Sequence, residues 1–119
     1  VFSDPQSVTY NAVAKSMPRT GSTGVQSDYR LVDSGGVVYT LTLSHQFSKR
    51  NRVVARLRRE STVTDPLVPA NSIGASMTAT LTIDFPVAGL TPTDAQLLAK
   101  ALVGWGTDAN LLKLAGGET

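Results

Sequence analysis

The residues in this chain best suited to chemistry are cations. Lys49, Arg50, Arg52, Arg56, Arg58 and Arg59 place six of the eleven basic residues in eleven consecutive positions, with no acid among them. A guanidinium group stays charged at any physiological pH, and its planar fork matches phosphate oxygens in two-point contacts. The chemistry on offer is therefore phosphate neutralisation. The ordinary alternative for such a run is a solvated face or a charge-protected edge strand.

Other chemistries are poorly served. There is no cysteine, so disulfides, thiolate metal sites and a thiol nucleophile are all excluded, which fits maturation in a reducing cytoplasm. One histidine, His45, cannot make a His-rich metal centre. Ser44, His45 and Asp33 formally supply a triad, but adjacent strand residues point to opposite faces, so Ser44 and His45 cannot meet. No paired carboxylates suit acid–base work. Gly35-Gly36 and Gly116-Gly117 read as turn and stop signals rather than phosphate loops, lacking a strand-to-helix loop with a following lysine. The expectation is a non-enzyme with no cofactor and no metal.

The cations need elements to aim them. From Tyr39 to Ser48, Leu41, Leu43 and Phe47 fall on one parity, and Thr40, Thr42, Ser44, Gln46 and Ser48 on the other. Period-two alternation puts the sets on opposite faces of a half-buried strand. Lys49 to Asn51 reads as a polar turn. The returning strand alternates Val53, Ala55 and Leu57 with Arg52, Val54, Arg56 and Arg58. A third strand sets Met77, Ala79, Leu81, Ile83 and Phe85 against Ser76, Thr78, Thr80 and Thr82. All three share an apolar face and a hydroxyl-rich, basic face, with carboxylates such as Asp33, Glu60 and Asp84 expected at strand ends. His45, Tyr29 and Tyr39 fall on the apolar parity, so His45 reads as a buried or interface histidine. The tyrosines are then not available as base-stacking platforms.

Around these, Ser7 to Pro18 reads as one or two short strands, Thr20 to Gly24 as a loop, and Tyr29 to Asp33 as a strand closed by Ser34-Gly35-Gly36. Ser61 to Ser72, with Pro66 and Pro69, reads as a long loop. The tail is helical. Thr91-Pro92-Thr93-Asp94 supplies an N-cap, a proline at the first helical position and an acid in the first turn. Leu98, Leu102 and Trp105 recur at i, i+4 and i+7, and a second short helix, capped by Thr107 or Asp108, carries Leu111, Leu112 and Leu114. Strands first and helices last argue for an α+β domain over residues 1–119. Helices of about 14 and 8 residues are marginal alone, so packing must hold them, either on their own sheet or on a neighbour's.

Bulk composition sets the outer limits. With 119 residues, 41% hydrophobic and 17% charged, the chain can bury one modest core. Apolar runs are too short for a bilayer span, and no signal-peptide order is seen at the N-terminus. A start at Val1 suggests a mature or trimmed chain. The net charge is only +2, so the distribution of charge says more than its sum.

Three segments carry a resemblance: Tyr39 to Gln46, Asn51 to Leu57, and Phe85 to Thr91 running into Asp94 to Trp105. Together with the order of elements and the Leu-Ala-Gly-Gly-Glu ending, they resemble the coat proteins of single-stranded RNA bacteriophages, the leviviruses. The likeness spans roughly residues 27 to 119, and the N-terminal hairpin more loosely. It implies an N-terminal hairpin (about 6–18), a five-stranded antiparallel sheet (about 27–86) and two C-terminal helices (about 91–115) interlocked in a homodimer. Leu98, Leu102, Trp105 and Leu111 would then form the dimer interface, the helices clasping the partner's sheet. Dimers would build an icosahedral T=3 shell in the bacterial host cytoplasm, with the loop at Ser61 to Ser72 lining the symmetry axes. The virion would package a single-stranded RNA genome and involve no membrane. The polar sheet face would meet that RNA through Thr40, Thr42, Ser44, Gln46, Arg52, Arg56, Arg58, Thr78 and Thr80, with Thr42, Ser44 and Arg56 placed to surround an unpaired adenine. Translational repression through an operator hairpin is a further implication. Val54, where a polar residue is common, and a short turn at Lys49 to Asn51 depart from the pattern and favour general packaging. The alternative function is a cellular dimeric RNA-binding protein that forms no shell.

Overall fold

The computed structural model describes residues 2–64, 67 and 72–118. Seven strands precede two helices: β1 (Gln6–Tyr10), β2 (Val13–Met17), β3 (Arg19–Ser22), β4 (Gln26–Val32), β5 (Val38–Gln46), β6 (Arg50–Thr64), β7 (Ser72–Pro86), α1 (Pro92–Trp105) and α2 (Asp108–Ala115). Strands β1 and β2 form a hairpin, and the other five form an antiparallel sheet in the order β3-β4-β5-β6-β7. Each sheet strand lies beside its neighbour in sequence, so the sheet is a meander of short connections. The chain divides into two units, Val1–Gln46 with Arg52–Thr82, and Phe47–Asn51 with Ile83–Thr119.

In the first unit the hairpin turns on Asn11 and Ala12, both at positive φ, as a two-residue primed turn requires. The core lies between the hairpin and the apolar sheet face. Met17, Tyr29 and Tyr39 are buried, and Val8, Leu31, Val37, Leu41, Leu43 and Leu57 pack around them. Each fully buried large side chain contributes roughly 1.5–3 kcal/mol. Polar contacts fasten the edge of this core. The Tyr10 and Tyr39 rings meet at 5.8 Å, and the Arg59 guanidinium stacks over both, 5.0 Å and 5.9 Å from their centroids. From β2, Lys15 lies 5.7 Å from the Tyr39 ring centroid and forms a salt bridge with Asp33 at the end of β4. Asp33 also accepts the Ser34 N–H at 2.8 Å, capping the 3-10 turn that leads into β5.

Several connections differ from the sequence-based expectation. The segment read as a loop at Thr20 to Gly24 contains most of β3, which begins at Arg19, so the sheet starts well before residue 27. A bulge between Arg19 and Gly21 hides its alternation, because one extra residue shifts the parity. The turn after β5 is Phe47 to Lys49; Arg50 and Asn51 already belong to β6. Ser61 to Thr64 continue β6 and Ser72 opens β7, so both ends of the segment expected to be a loop are strand. Within it Pro66 and Pro69 lie outside the described residues.

In the second unit Thr91 caps α1. Its hydroxyl accepts the Asp94 N–H at 3.3 Å while the Asp94 carboxylate accepts the Thr91 N–H at 3.0 Å, a reciprocal capping box. Thr107 caps α2. Neither helix buries a residue in the single chain: Leu98 is 73% exposed and Trp105 53%. Among the described residues no helix is long and apolar enough to cross a membrane.

The Lys15–Asp33 bridge makes stability pH-dependent. The Lys15 ammonium, with help from the Ser34 N–H, holds the Asp33 carboxyl below its ordinary value. A depressed carboxyl stabilises fully above its unfolded value, near 3.9, and loses that contribution as pH falls through the folded value. Asp33 in turn raises Lys15, whose share of the same interaction persists below its unfolded value and fades only as pH climbs through the raised one. Asp33→Asn is therefore expected to lower Tm at pH 7, and the two Tm curves should converge below about pH 4. Circular dichroism melts across pH 2–8 check this; parallel curves would show that the bridge contributes nothing.

Candidate nucleic-acid interface

The candidate site is the sheet face opposite Tyr29 and Tyr39, and the register of three strands assembles it. Antiparallel pairing sets Tyr29 against Leu41 and Leu41 against Leu57, so the alternate residues share the other face. There Arg30 pairs with Thr40 and Thr40 with Arg58; Asp28 pairs with Thr42 and Thr42 with Arg56; Gln26 pairs with Ser44 and Ser44 with Val54. Gln46 pairs with Arg52 at the end of the ladder. From β7, Ser76 and Gly74 line a shallow depression with Arg58 and Glu60. By strand parity Thr78 and Thr80 face the same way as Ser76. The expected residues Thr40, Thr42, Ser44, Gln46, Arg52, Arg56, Arg58, Thr78 and Thr80 thus share one face.

The face carries exposed cations. Arg52, Arg56 and Arg58 are exposed, while Thr40, Thr42 and Ser44 sit half-buried between them. Arg56 has no ion-pair partner among the described residues. Arg58 is bridged to Glu60 at 3.1 Å, with both side chains about half exposed. Such a surface pair contributes little, so Arg58 can exchange its carboxylate for another anion at small cost. Along β6 the Cα positions of alternate residues are spaced by roughly 6.5–7 Å.

Not all of the basic run reaches this face. Arg59 points to the apolar side, where it donates to the Tyr39 hydroxyl at 3.4 Å and to Ser61 at 3.3 Å. Arg50 shares the parity of Arg52 but is engaged by a carboxylate, donating from Nε to Asp84 at 3.1 Å. Nor do the acids keep to strand ends. Glu60 lies well inside β6, because the strand runs four residues past it, and Asp28 stands mid-strand on the polar face. The sequence-based expectation misses Gln26 and Asp28 because it begins β4 at Tyr29, and it passes over Arg30 within that strand. The alternation of Tyr29 and Leu31 with Asp28 and Arg30 was the available signal. His45 pairs with Val53 on the apolar side of the sheet, as its parity implies. Leu98, Leu102, Trp105 and Leu111 lie on the exposed helices of the second unit.

No protein-family model matches the sequence. No curated protein matches it either. Solved structures do match. A chain from the virus-like particle of bacteriophage AVE019 superposes with a TM-score of 0.74 at 14% identity, covering 98% of this chain and 97% of that one. The virus-like particle of Beihai levi-like virus 21 gives 0.73 at 14% identity, covering 94% and 91%. The capsid protein of bacteriophage GA gives 0.65 at 13% identity, covering 98% and 95%. An N-terminal hairpin, a five-stranded antiparallel meander and two C-terminal helices, matched almost end to end, make the fold of this chain that of levi-like bacteriophage coat proteins.

Proposed function

We propose that this chain is a structural capsid protein that dimerises, assembles into a closed shell and packages single-stranded RNA against its polar sheet face. The observation that carries the reading is the end-to-end likeness to chains that form virus-like particles. The arrangement of Arg52, Arg56 and Arg58 beside Thr40, Thr42 and Ser44 supports the nucleic-acid part. Guanidinium groups neutralise phosphates, and hydroxyls between them position the backbone or meet exposed base edges of single-stranded regions. The exposed apolar stripe of α1 and α2 supports the dimer. Leu98, Leu102, Trp105 and Leu111 lie open to solvent in one chain, on helices too short to be stable unpacked, and a partner's sheet would cover them.

Assembly is tested by expressing the protein alone in bacteria. It is expected to sediment as shell-sized particles whose RNA resists added nuclease. A dimer that stays free at high concentration with RNA supplied would replace the shell by the reading of a cellular RNA-binding dimer. Leu98→Asp puts a charge into the proposed dimer interface and is expected to yield insoluble or unfolded chain. A stable, cooperatively folding monomer from that variant would refute the interlocked dimer.

The RNA face is tested by salt. With three or four phosphates neutralised per subunit, log affinity is expected to fall against log salt with a slope of roughly −2 to −4. Arg56→Ala should leave the protein folded and make that slope shallower by about one. An unchanged slope and affinity would move the contact elsewhere.

A further inference from the structure

We propose that Asp28 is a base-reading residue that gives the polar sheet face a preference for unpaired guanine. The inference rests on the reading of that face as an RNA surface and adds a specificity element to it. A carboxylate in the middle of a phosphate-binding face is out of place electrostatically, since it repels the backbone that its neighbours attract. Yet Asp28 occupies the central row, with Thr42 opposite it on β5 and Arg56 beyond on β6. Acceptor, hydroxyl and cation are thus aligned across three strands, over about 10 Å.

The carboxylate is also unspent. Among the described residues it has no ion-pair partner, although Arg30 lies two positions along the same strand face. Its side-chain hydrogen bonds come from the Gln26 amide, which reaches both oxygens at 3.4 Å, the long end of the range. Opposite it on β3 stands Gly21, which has no side chain to compete for the half-buried carboxylate; a Cβ added there would lie 3.9 Å from Asp28 Oδ2.

An ionised carboxylate only accepts hydrogen bonds, so a base it reads must present donors. Single-stranded RNA exposes its Watson–Crick edges to such groups. Guanine offers two adjacent donors there, N1–H and the N2 amino group, one for each carboxylate oxygen. Uracil offers a single N–H flanked by two carbonyls, which the carboxylate repels. The neighbouring Thr42 hydroxyl and Arg56 would hold the same nucleotide's sugar or phosphate while Asp28 takes its edge.

Binding of the full-length chain, kept dilute enough to stay unassembled, is measured with three short unstructured RNAs: all-uridine, uridine with interspersed guanosines, and the same RNA with inosine for guanosine. Inosine keeps N1–H and lacks the 2-amino group. The wild-type protein is expected to favour the guanosine RNA over all-uridine by roughly tenfold, with inosine between them. Asp28→Ala should abolish the preference while tightening binding to all-uridine RNA, because the repulsion is gone. Asp28→Asn keeps shape and one acceptor without the charge, and should retain only part of the preference. Equal selectivity in wild type and Asp28→Ala, or no selectivity in wild type, overturns the proposal while salt-dependent binding leaves the RNA surface standing. Absence of salt-dependent binding by the wild type sinks that surface and this proposal with it.

Discussion

The pairing register between β5 and β6 decides what each face of the sheet can do. Tyr39 meets Arg59, Leu41 meets Leu57 and Leu43 meets Ala55, so the intervening pairs Thr40–Arg58 and Thr42–Arg56 fall on the opposite side. Because side chains alternate with a period of two, a slip of one residue would carry Arg56 and Arg58 into the core and Leu57 into water. Burial of Tyr29 and Tyr39 against the hairpin makes that slip costly. The apolar core and the basic face are therefore one constraint seen from two sides.

Arg58 and Arg59 show how far this goes. They are adjacent in sequence and equal in charge, yet the pleat sends them to different tasks. Arg58 stands on the polar face in a half-exposed bridge to Glu60. Arg59 lies over two tyrosine rings, one from β1 and one from β5, and fastens the N-terminal hairpin to the sheet. Stacked guanidinium–aromatic contacts of this kind gain strength as the pair leaves water. Lys15 and Asp33 make a second fastening on the same seam, with the Asp33 carboxylate also closing the turn that launches β5. The hairpin is thus held by its buried Met17 and by polar contacts at the rim.

The helices are a different problem. Their ends are well determined, with a reciprocal capping box at Thr91 and Asp94 and a threonine cap at Thr107. Caps satisfy orphan backbone groups but supply no apolar burial, and a single chain leaves Leu98, Leu102, Trp105 and Leu111 exposed. That exposed stripe on two short helices is the physical ground for the proposed dimer.

Much of this was legible in the residues. Alternation over Tyr39 to Gln46 and Arg52 to Arg58 determined two strands, which of their residues share the polar face, and that Tyr39 and His45 belong to the other. Thr91-Pro92 determined where α1 begins, and Thr107 or Asp108 bounded the start of α2 to one residue, because capping is a local interaction between near neighbours. The tertiary structure decided what depends on partners distant in sequence. It placed β3 at the sheet edge despite a bulge that breaks its period, and carried β6 through Thr64. It turned Arg59 from one cation of a basic run into a fastening for the hairpin, alongside Lys15. It also brought Asp28 into line with Thr42 and Arg56, which no local pattern reveals: a strand's own alternation says which residues share a face, and only the pairing of strands says which of them become neighbours.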